Sequence, residues 1–257
     1  MKVIVTGGEG FIGKALVAAL KEGRAEVCSI DRRSGIEVAD FFRDADLSDI
    51  DCVFHLAAQT SVFNTDKNAV VADNISAFMV VCDACRRHNV RLVYASSSTA
   101  NSCNTTSLYG ISKRFDELYA ACYHPGATGV RLHNVYGPDP RQGTLLWHIL
   151  NDKPVKLVNA GRNVRHFTYI SDAVRGLIYA YGKGGRLLNV ANPEETSVYD
   201  FAQEVDKYKP LEIVIDRQKR NFDRKEQRVD TCIPSVPLQY VSVREGVRKC
   251  FEDETQK

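Results

Sequence analysis

The stretch Thr6-Gly7-Gly8-Glu9-Gly10-Phe11-Ile12-Gly13 restricts this chain more than any other feature. It follows the apolar run Val3 to Val5 and opens the helical pattern Phe11 to Lys21, so a tight glycine turn links a strand to a helix. Gly8, Gly10 and Gly13 satisfy Gly-x-Gly-x-x-Gly, and Gly7, Gly10 and Gly13 satisfy a wider-spaced variant. In that setting the backbone amides and the start of the helix can receive a pyrophosphate. Asp31 ends the second apolar run, 18 residues after Gly13. A carboxylate there accepts hydrogen bonds from both ribose hydroxyls of an adenosine and repels a 2′-phosphate. This points to NAD rather than NADP, although Arg32 and Arg33 follow at once and offer a phosphate an alternative partner.

The alternation continues through the first half. Ala25 to Ile30, Cys52 to Leu56, Arg91 to Ala95 and Thr128 to Leu132 read as strands, and Ala69 to His88 and Tyr109 to Tyr123 as helices. Such alternation predicts a parallel sheet covered by helices on both faces. Beyond Gly137, Pro138 and Pro140 the elements shorten: helices near 144–150, 170–181, 198–208 and 243–251, strands near 155–158, 187–190 and 212–215. This predicts a smaller lobe threaded with segments that return to the first. The charge-dense stretch 216–228 reads as a solvated loop.

With 257 residues, 44% of them apolar and 26% charged, the chain suits one large domain or two unequal lobes, and the disordered, collagen-like and disulfide-stapled classes are excluded. A net charge of +2 is too balanced for a chain whose main task is to bind nucleic acid. No run approaches the roughly 20 continuous apolar residues of a membrane span, and Thr6, Gly7 and Gly8 cut the N-terminal run too early for a signal peptide. Eight dispersed cysteines suit buried reduced thiols, and with them a cytoplasmic location.

Tyr109 and Lys113 stand four apart at the start of a helix, on one face, where the ammonium can lower the phenol pKa and let Tyr109 exchange a proton with a substrate hydroxyl. Tyr179 and Lys183 share the spacing but precede Gly184-Gly185, a helix end with a basic last residue. The first pair is set apart by Ser96-Ser97-Ser98-Thr99, which leaves the preceding strand at the sheet edge where such folds bind ligands. Cys82 and Cys85 lie inside a helical pattern and read as packing; no metal-ligand spacing occurs. Cys103 reads as a loop thiol beside the site, His55 as a satisfied core histidine, and His166 as a neighbour of Arg165 with access to a phosphate.

Taken together, the glycine loop, His55-Leu56-Ala57-Ala58-Gln59, Asn74, the serine run, Tyr109-Gly-Ile-Ser-Lys113, Arg131-Leu-His-Asn134-Val135-Tyr136-Gly137-Pro138 and Arg165-His-Phe-Thr-Tyr-Ile-Ser-Asp172 resemble the extended short-chain dehydrogenases/reductases. Within them the chain is similar to the NAD-dependent nucleotide-sugar epimerase/dehydratase family typified by UDP-glucose 4-epimerase, over nearly its whole length. The resemblance implies an α/β fold: a doubly wound parallel Rossmann sheet over residues 1–140, with segments near 160–192 returning to it, and a small α+β substrate lobe mainly in 141–257. It implies that Gly7, Gly10, Phe11, Ile12 and Gly13 hold the NAD pyrophosphate, Asp31 the ribose, and Asp46 and Leu47 the adenine edge. Leu56, Ala57, Ala58 and Asn74 would line the cofactor cleft, with Val135 by the nicotinamide. Tyr109, Lys113 and Ser98 would be catalytic, Lys113 also holding the nicotinamide ribose. Ser98, Asn134, Arg165 and Arg228 would contact the substrate, the two arginines at its diphosphate.

The expected reaction is 4-epimerisation of a nucleotide-diphosphate sugar, of UDP-glucose/UDP-galactose type, through a 4-keto intermediate. A net-redox sugar dehydrogenase or reductase and a catalytically quiet NAD(P)-binding module remain alternatives. A homodimer through the two long helices is typical of the family, although their outer faces carry no decisive apolar stripe. Two departures stand out. Ser98 and Tyr109 are only eleven apart, which shortens a loop that usually frames the sugar. Thr99-Ala100 stands where a 4,6-dehydratase of the family carries Asp-Glu, so the acid needed to eliminate water is missing there.

Overall fold

Short runs rich in β-branched residues become strands buried on both faces. A computed structural model describes residues 1–101, 107–218 and 226–252. Its first strands are β1 (Lys2–Thr6), β2 (Glu26–Ile30), β3 (Cys52–His55), β4 (Arg91–Ser97) and β5 (Thr128–Leu132), and the helices between them are α1 (Phe11–Glu22), α2 (Val38–Asp44), α3 (Lys67–Val70), α4 (Ala77–Arg87) and α5 (Leu108–Tyr123). After β5 come β6 (Val135–Tyr136), α6 (Leu145–Asn151), β7 (Val155–Leu157), β8 (Val164–Arg165), β9 (Thr168–Tyr169), α7 (Ile170–Ala180) and β10 (Leu187–Val190). The chain closes with β11 (Thr196–Ser197), α8 (Val198–Asp206), β12 (Ile213–Ile215) and α9 (Val243–Glu252).

Six strands form the main sheet in the order β10-β5-β4-β3-β1-β2, and every pairing in it is parallel. The chain leaves β1 toward β2 on one side and returns to β3 on the other, so the strand order reverses there. The crevice at the carboxyl ends of β1 and β3 is where a doubly wound sheet binds its ligand.

Each face of the sheet has its own core. On one, Phe42 of α2 and Phe78, Val81 and Cys85 of α4 pack on Ile4, Val53 and Leu92. On the other, Leu16 and Leu20 of α1 and Ala173 and Leu177 of α7 pack on Val5, Phe54, Val130 and Val190. A third core, around Tyr136, Ile149, Phe167, Phe201 and Val247, holds together α6, α8, α9 and the two-stranded pairs β6-β9 and β7-β12, and β8 pairs with β11 beside it. Thus α7 and β10 belong to the main sheet although they lie late in the chain.

The helix expected over 69–88 is interrupted: a π-turn at Val71–Ser76 joins α3 to α4. Asn74 sits in that turn, and its side chain is pinned to Gln59 and Ser112. By length and composition the run Lys67–Arg87 would suffice to cross a membrane. Its apolar side chains Phe78, Val81, Cys82 and Cys85 are fully buried against the sheet instead.

Candidate active site

The glycine loop is held by contacts that leave no space for side chains. A Cβ on Gly13 would lie 2.0 Å from the Gly7 carbonyl oxygen, one on Gly7 would lie 2.8 Å from the amide nitrogen of Ala57, and Gly7 has a left-handed φ of 68°. The loops after β1 and β3 therefore touch at the reversal of strand order. The Thr6 hydroxyl accepts from the amides of Leu56 and Ala57, each at 3.2 Å, and lies in hydrogen-bond contact with Nδ1 of His55 at 2.8 Å. Burial drives the His55 pKa down to about 3, with Lys113 adding to the effect, so His55 is neutral. Gly10 begins α1 without a side-chain cap and no acid stands in its first turn, which leaves the end positive.

At the end of β2 the Asp31 carboxylate accepts from the amides of Glu9 and Arg33, both at 3.0 Å, and lines the cleft with lone pairs to spare for a ribose. The arginines beside it are engaged elsewhere. Arg32 pairs with Asp73 and Glu37, and Arg33 donates to the Glu9 carbonyl at 2.7 Å. These features fit the adenosine and pyrophosphate of a dinucleotide, and the tied arginines suit one without a 2′-phosphate.

One cleft of about 890 Å³ brings together Gly7, Gly10, Phe11, Ile12, Gly13, Asp31, Leu56, Ala57, Ala58, Ser98, Tyr109, Lys113, Asn134 and Val135. Ser107 caps α5 by accepting from the Gly110 amide at 3.1 Å. This first turn presents Tyr109 half-buried with Lys113 almost fully buried on the same face. Ser98 follows directly on β4 and lines the same cleft, 3% exposed.

Five expected contacts are not brought to the cleft. Asp46 turns to solvent, where it accepts from the Ser48 amide at 2.9 Å, and Leu47 is 1% exposed in the core beneath α2. Glu37, Val38 and Ala39, at the start of α2, line the adenosine end in their stead. Asn74 is buried behind the wall. It accepts from the Gln59 amide at 2.7 Å and donates to Ser112 Oγ at 2.9 Å, fixing the loop after β3 rather than lining it. Arg165 folds back on the Val164 carbonyl at 2.8 Å, and Arg228 points outward toward Glu226. The cause for Arg228 is its neighbour: on an extended segment successive side chains face opposite ways, and Gln227 faces in.

Gln227 is a site residue that the sequence did not disclose. Its Nε2 donates to Ser98 Oγ and its Oε1 accepts from Asn134 Nδ2, both at 2.6 Å, so it joins these two cleft residues. Arg141 is another. It lines the cleft beside Tyr109, and its pKa is lowered by partial desolvation, with Tyr109 opposing and Arg33 adding. No side-chain partner for Arg141 occurs among the described residues. Glycine- and proline-flanked loops carry no periodicity, so nothing in the sequence singles out either residue.

Other assignments are settled by position. Tyr179 and Lys183 form a cation–π contact of 4.6 Å at the end of α7, outside the cleft. Cys82 and Cys85 are buried free thiols whose pKa burial raises, to about 12 for Cys82. His166 is buried outside the cleft lining, with Nδ1 2.9 Å from the Asn192 carbonyl. Cys103 lies outside the described residues. Among the described residues no cluster of three potential metal ligands occurs.

Known proteins share this fold. The chain is 29% identical over 249 residues to an uncharacterized UDP-glucose epimerase of Bacillus subtilis, covering 77% of this chain and 79% of that protein. It is similar to a UDP-glucuronic acid 4-epimerase from Bacillus cereus, solved with UDP-glucuronic acid and NAD, at 26% identity and a TM-score of 0.80, covering 100% of this chain and 99% of the other. It is equally similar in fold to TunA, an NAD-dependent NDP-hexosamine 5,6-dehydratase, at 25% identity and a TM-score of 0.83, covering 100% and 98%. The family model described as the NAD dependent epimerase/dehydratase family matches residues 3–191, a span that begins in β1, contains the glycine loop, Ser98, Tyr109 and Lys113, and ends just past β10. The chain belongs to the NAD-dependent epimerase/dehydratase family.

Proposed function

We propose that the protein is a 4-epimerase of a UDP-hexose, using NAD as a resident cofactor and passing through a 4-keto sugar. The observation that carries this reading is the convergence of Tyr109, Lys113 and Ser98 on the cleft that the glycine loop opens. Gly7, Gly10, Phe11, Ile12 and Gly13 would hold the pyrophosphate, Asp31 the adenosine ribose, and Lys113 the nicotinamide ribose. NAD, when bound, supplies the acceptor and donor of a hydride. The protein supplies the proton chemistry and the positioning. Tyr109 takes the proton of the C4 hydroxyl and, after the keto sugar has turned over so that its other face meets the cofactor, returns it to the same oxygen. Ser98 holds the same oxygen, and Asn134 with Gln227 frames the ring. With Thr99-Ala100 after Ser98, no carboxylic acid follows it to assist loss of water.

Arg141 favours a second reading within this one. A cleft guanidinium near Tyr109 with no carboxylate partner among the described residues suits a sugar that brings one, so a UDP-uronate is the alternative to a neutral UDP-hexose. Proton NMR of UDP-glucose and of UDP-glucuronate, each incubated with the protein and a trace of NAD, tests both. A C4 epimer without net NADH supports the function, and the substrate that converts assigns the sugar. Stoichiometric NADH would replace it with a net-redox enzyme.

A homodimer accompanies this proposal. Contrary to the expectation from sequence, α5 carries an apolar outer row, with Ile111 and Leu118 more than half exposed and Phe115 between them. Sedimentation of the wild type and of Leu118→Glu tests it: a dimer that the charge dissociates is expected.

A further inference from the structure

Lys113 has a partner that the proton chemistry of the cleft does not require. Asp116 lies one turn further along the same face of α5, with Oδ2 3.0 Å from Nζ of Lys113, and the two side chains are 0% and 3% exposed. The other oxygen of Asp116, Oδ1, has no hydrogen-bond partner among the described residues, so the carboxylate is committed to the ammonium. An apolar side chain would fill a helix–sheet contact at lower cost than a half-satisfied acid.

We propose that Asp116 is a positioning residue, the fixed counter-ion that keeps the buried Lys113 an ammonium and holds it beneath Tyr109. This rests on the reading of Tyr109 and Lys113 as the acid–base pair. A desolvated lysine with no counter-charge titrates several units low. Lys113 is instead held above its ordinary value: burial pulls it down, and Asp116, then Tyr109 and Glu117, outweigh that pull. Burial pushes Asp116 up to about 6, with Lys113 opposing and Glu117 adding.

The other groups facing the pair cannot replace Asp116. On β3, His55 is neutral. On β4 and α4, Tyr94 and Cys82 have their pKa values raised by burial and stay protonated. Glu117 is taken by Arg131 of β5, at 2.7 Å through each of two nitrogens.

The test is a titration of NAD-loaded protein carrying ¹³C at lysine Cε, with the Lys113 signal assigned by Lys113→Arg. Wild-type Lys113 is expected to titrate no lower than an ordinary lysine, and Asp116→Asn to lower its transition by about one unit or more. Asp116→Ser gives the same reading should the amide fail to pack, and Asp116→Glu should restore the wild-type value. A wild-type transition below about pH 9, or one that neutral replacement of Asp116 leaves in place, overturns the proposal. The titration needs no sugar, so absence of turnover would sink the proposed function without touching this result.

Discussion

Arg32 sets both terminal nitrogens on Asp73, Nη1 3.0 Å from Oδ2 and Nη2 2.8 Å from Oδ1, and so ties the end of β2 to the π-turn across the adenosine end of the cleft. Gln59 Nε2 adds a third bond to the same carboxylate at 2.8 Å. Burial works against the Asp73 charge, and the bonds from Arg32 and Gln59 outweigh it, holding its carboxyl below the usual range. The arginine side chain is half exposed, so the pair is worth about 1 kcal/mol or less. Asp73→Ala should weaken NAD binding by no more than about fivefold. It should also free Arg32 for a 2′-phosphate, raising NADP affinity relative to NAD. Calorimetric titration with both cofactors checks this, and an unchanged NADP-to-NAD ratio would count against the tie.

Gln227 joins Ser98 to Asn134 at 2.6 Å on either side, in contact with the reacting end of the cleft and far from the glycine loop. Gln227→Ala should lower kcat/KM about tenfold, the loss of about one good hydrogen bond, while NAD affinity stays unchanged. Gln227→Glu should be worse, because a carboxylate cannot donate to Ser98 Oγ. Equal losses in cofactor binding would show a structural part instead.

Acid should unfold the protein through two buried histidines. Burial drives both His55 and His133 from 6.5 down to about 3, with Lys113 adding for His55 and His166 for His133. Between those values the unfolded chain binds protons that the folded one does not. Their contribution is therefore complete above pH 6.5 and lost as pH falls toward 3, at about 1.4 kcal/mol per pH unit for each. Asp116, raised from 3.8 to about 6, has the opposite sign and offsets part of this below pH 6. Urea unfolding should thus give a lower stability at pH 5 than at pH 7. His133→Phe, which keeps a neutral ring, should reduce that difference by about half.

Behind the site, Arg131 is 1% exposed and grips Glu117 through Nε and Nη2, both at 2.7 Å, while Ser96 Oγ donates to the same acid at 2.6 Å. The third nitrogen reaches Asp230 at 3.1 Å, which fastens β5 to the C-terminal segment. Arg131→Met leaves the buried Glu117 only Ser96 and the half-exposed Arg114, at 3.2 Å, and should cost up to about 3 kcal/mol. Adding Glu117→Leu should recover most of the loss. A double-mutant cycle in urea measures the coupling, and additive losses would contradict it.

What could be read from the sequence was whatever hangs on one fixed local geometry. The glycine loop, Asp31 at a strand end, Ser98 at the sheet edge and the i,i+4 pair of Tyr109 and Lys113 need a few residues of context each, and all meet in one cleft. Positions that depend on which way a short segment turns were not readable. Asp46 and Leu47 were lost because the two-turn α2 sends Leu47 into the core. Arg165 and Arg228 were lost because side-chain alternation in very short strands cannot be phased without its partners. Asp116 did leave a signal, an acid one turn beyond Lys113 on the same face, which only burial makes meaningful.

The central claim is that oxidation and reduction occur at C4 of one bound sugar, with Tyr109 carrying the proton. The most direct measurement uses UDP-glucose and UDP-glucuronate deuterated at C4, with catalytic NAD, followed by NMR. The account predicts that one of them yields its C4 epimer with deuterium still at C4 and no net NADH. Tyr109→Phe should slow this by about 10²-fold or more while still binding NAD. Loss of the label to solvent, or conversion that survives Tyr109→Phe, would contradict it.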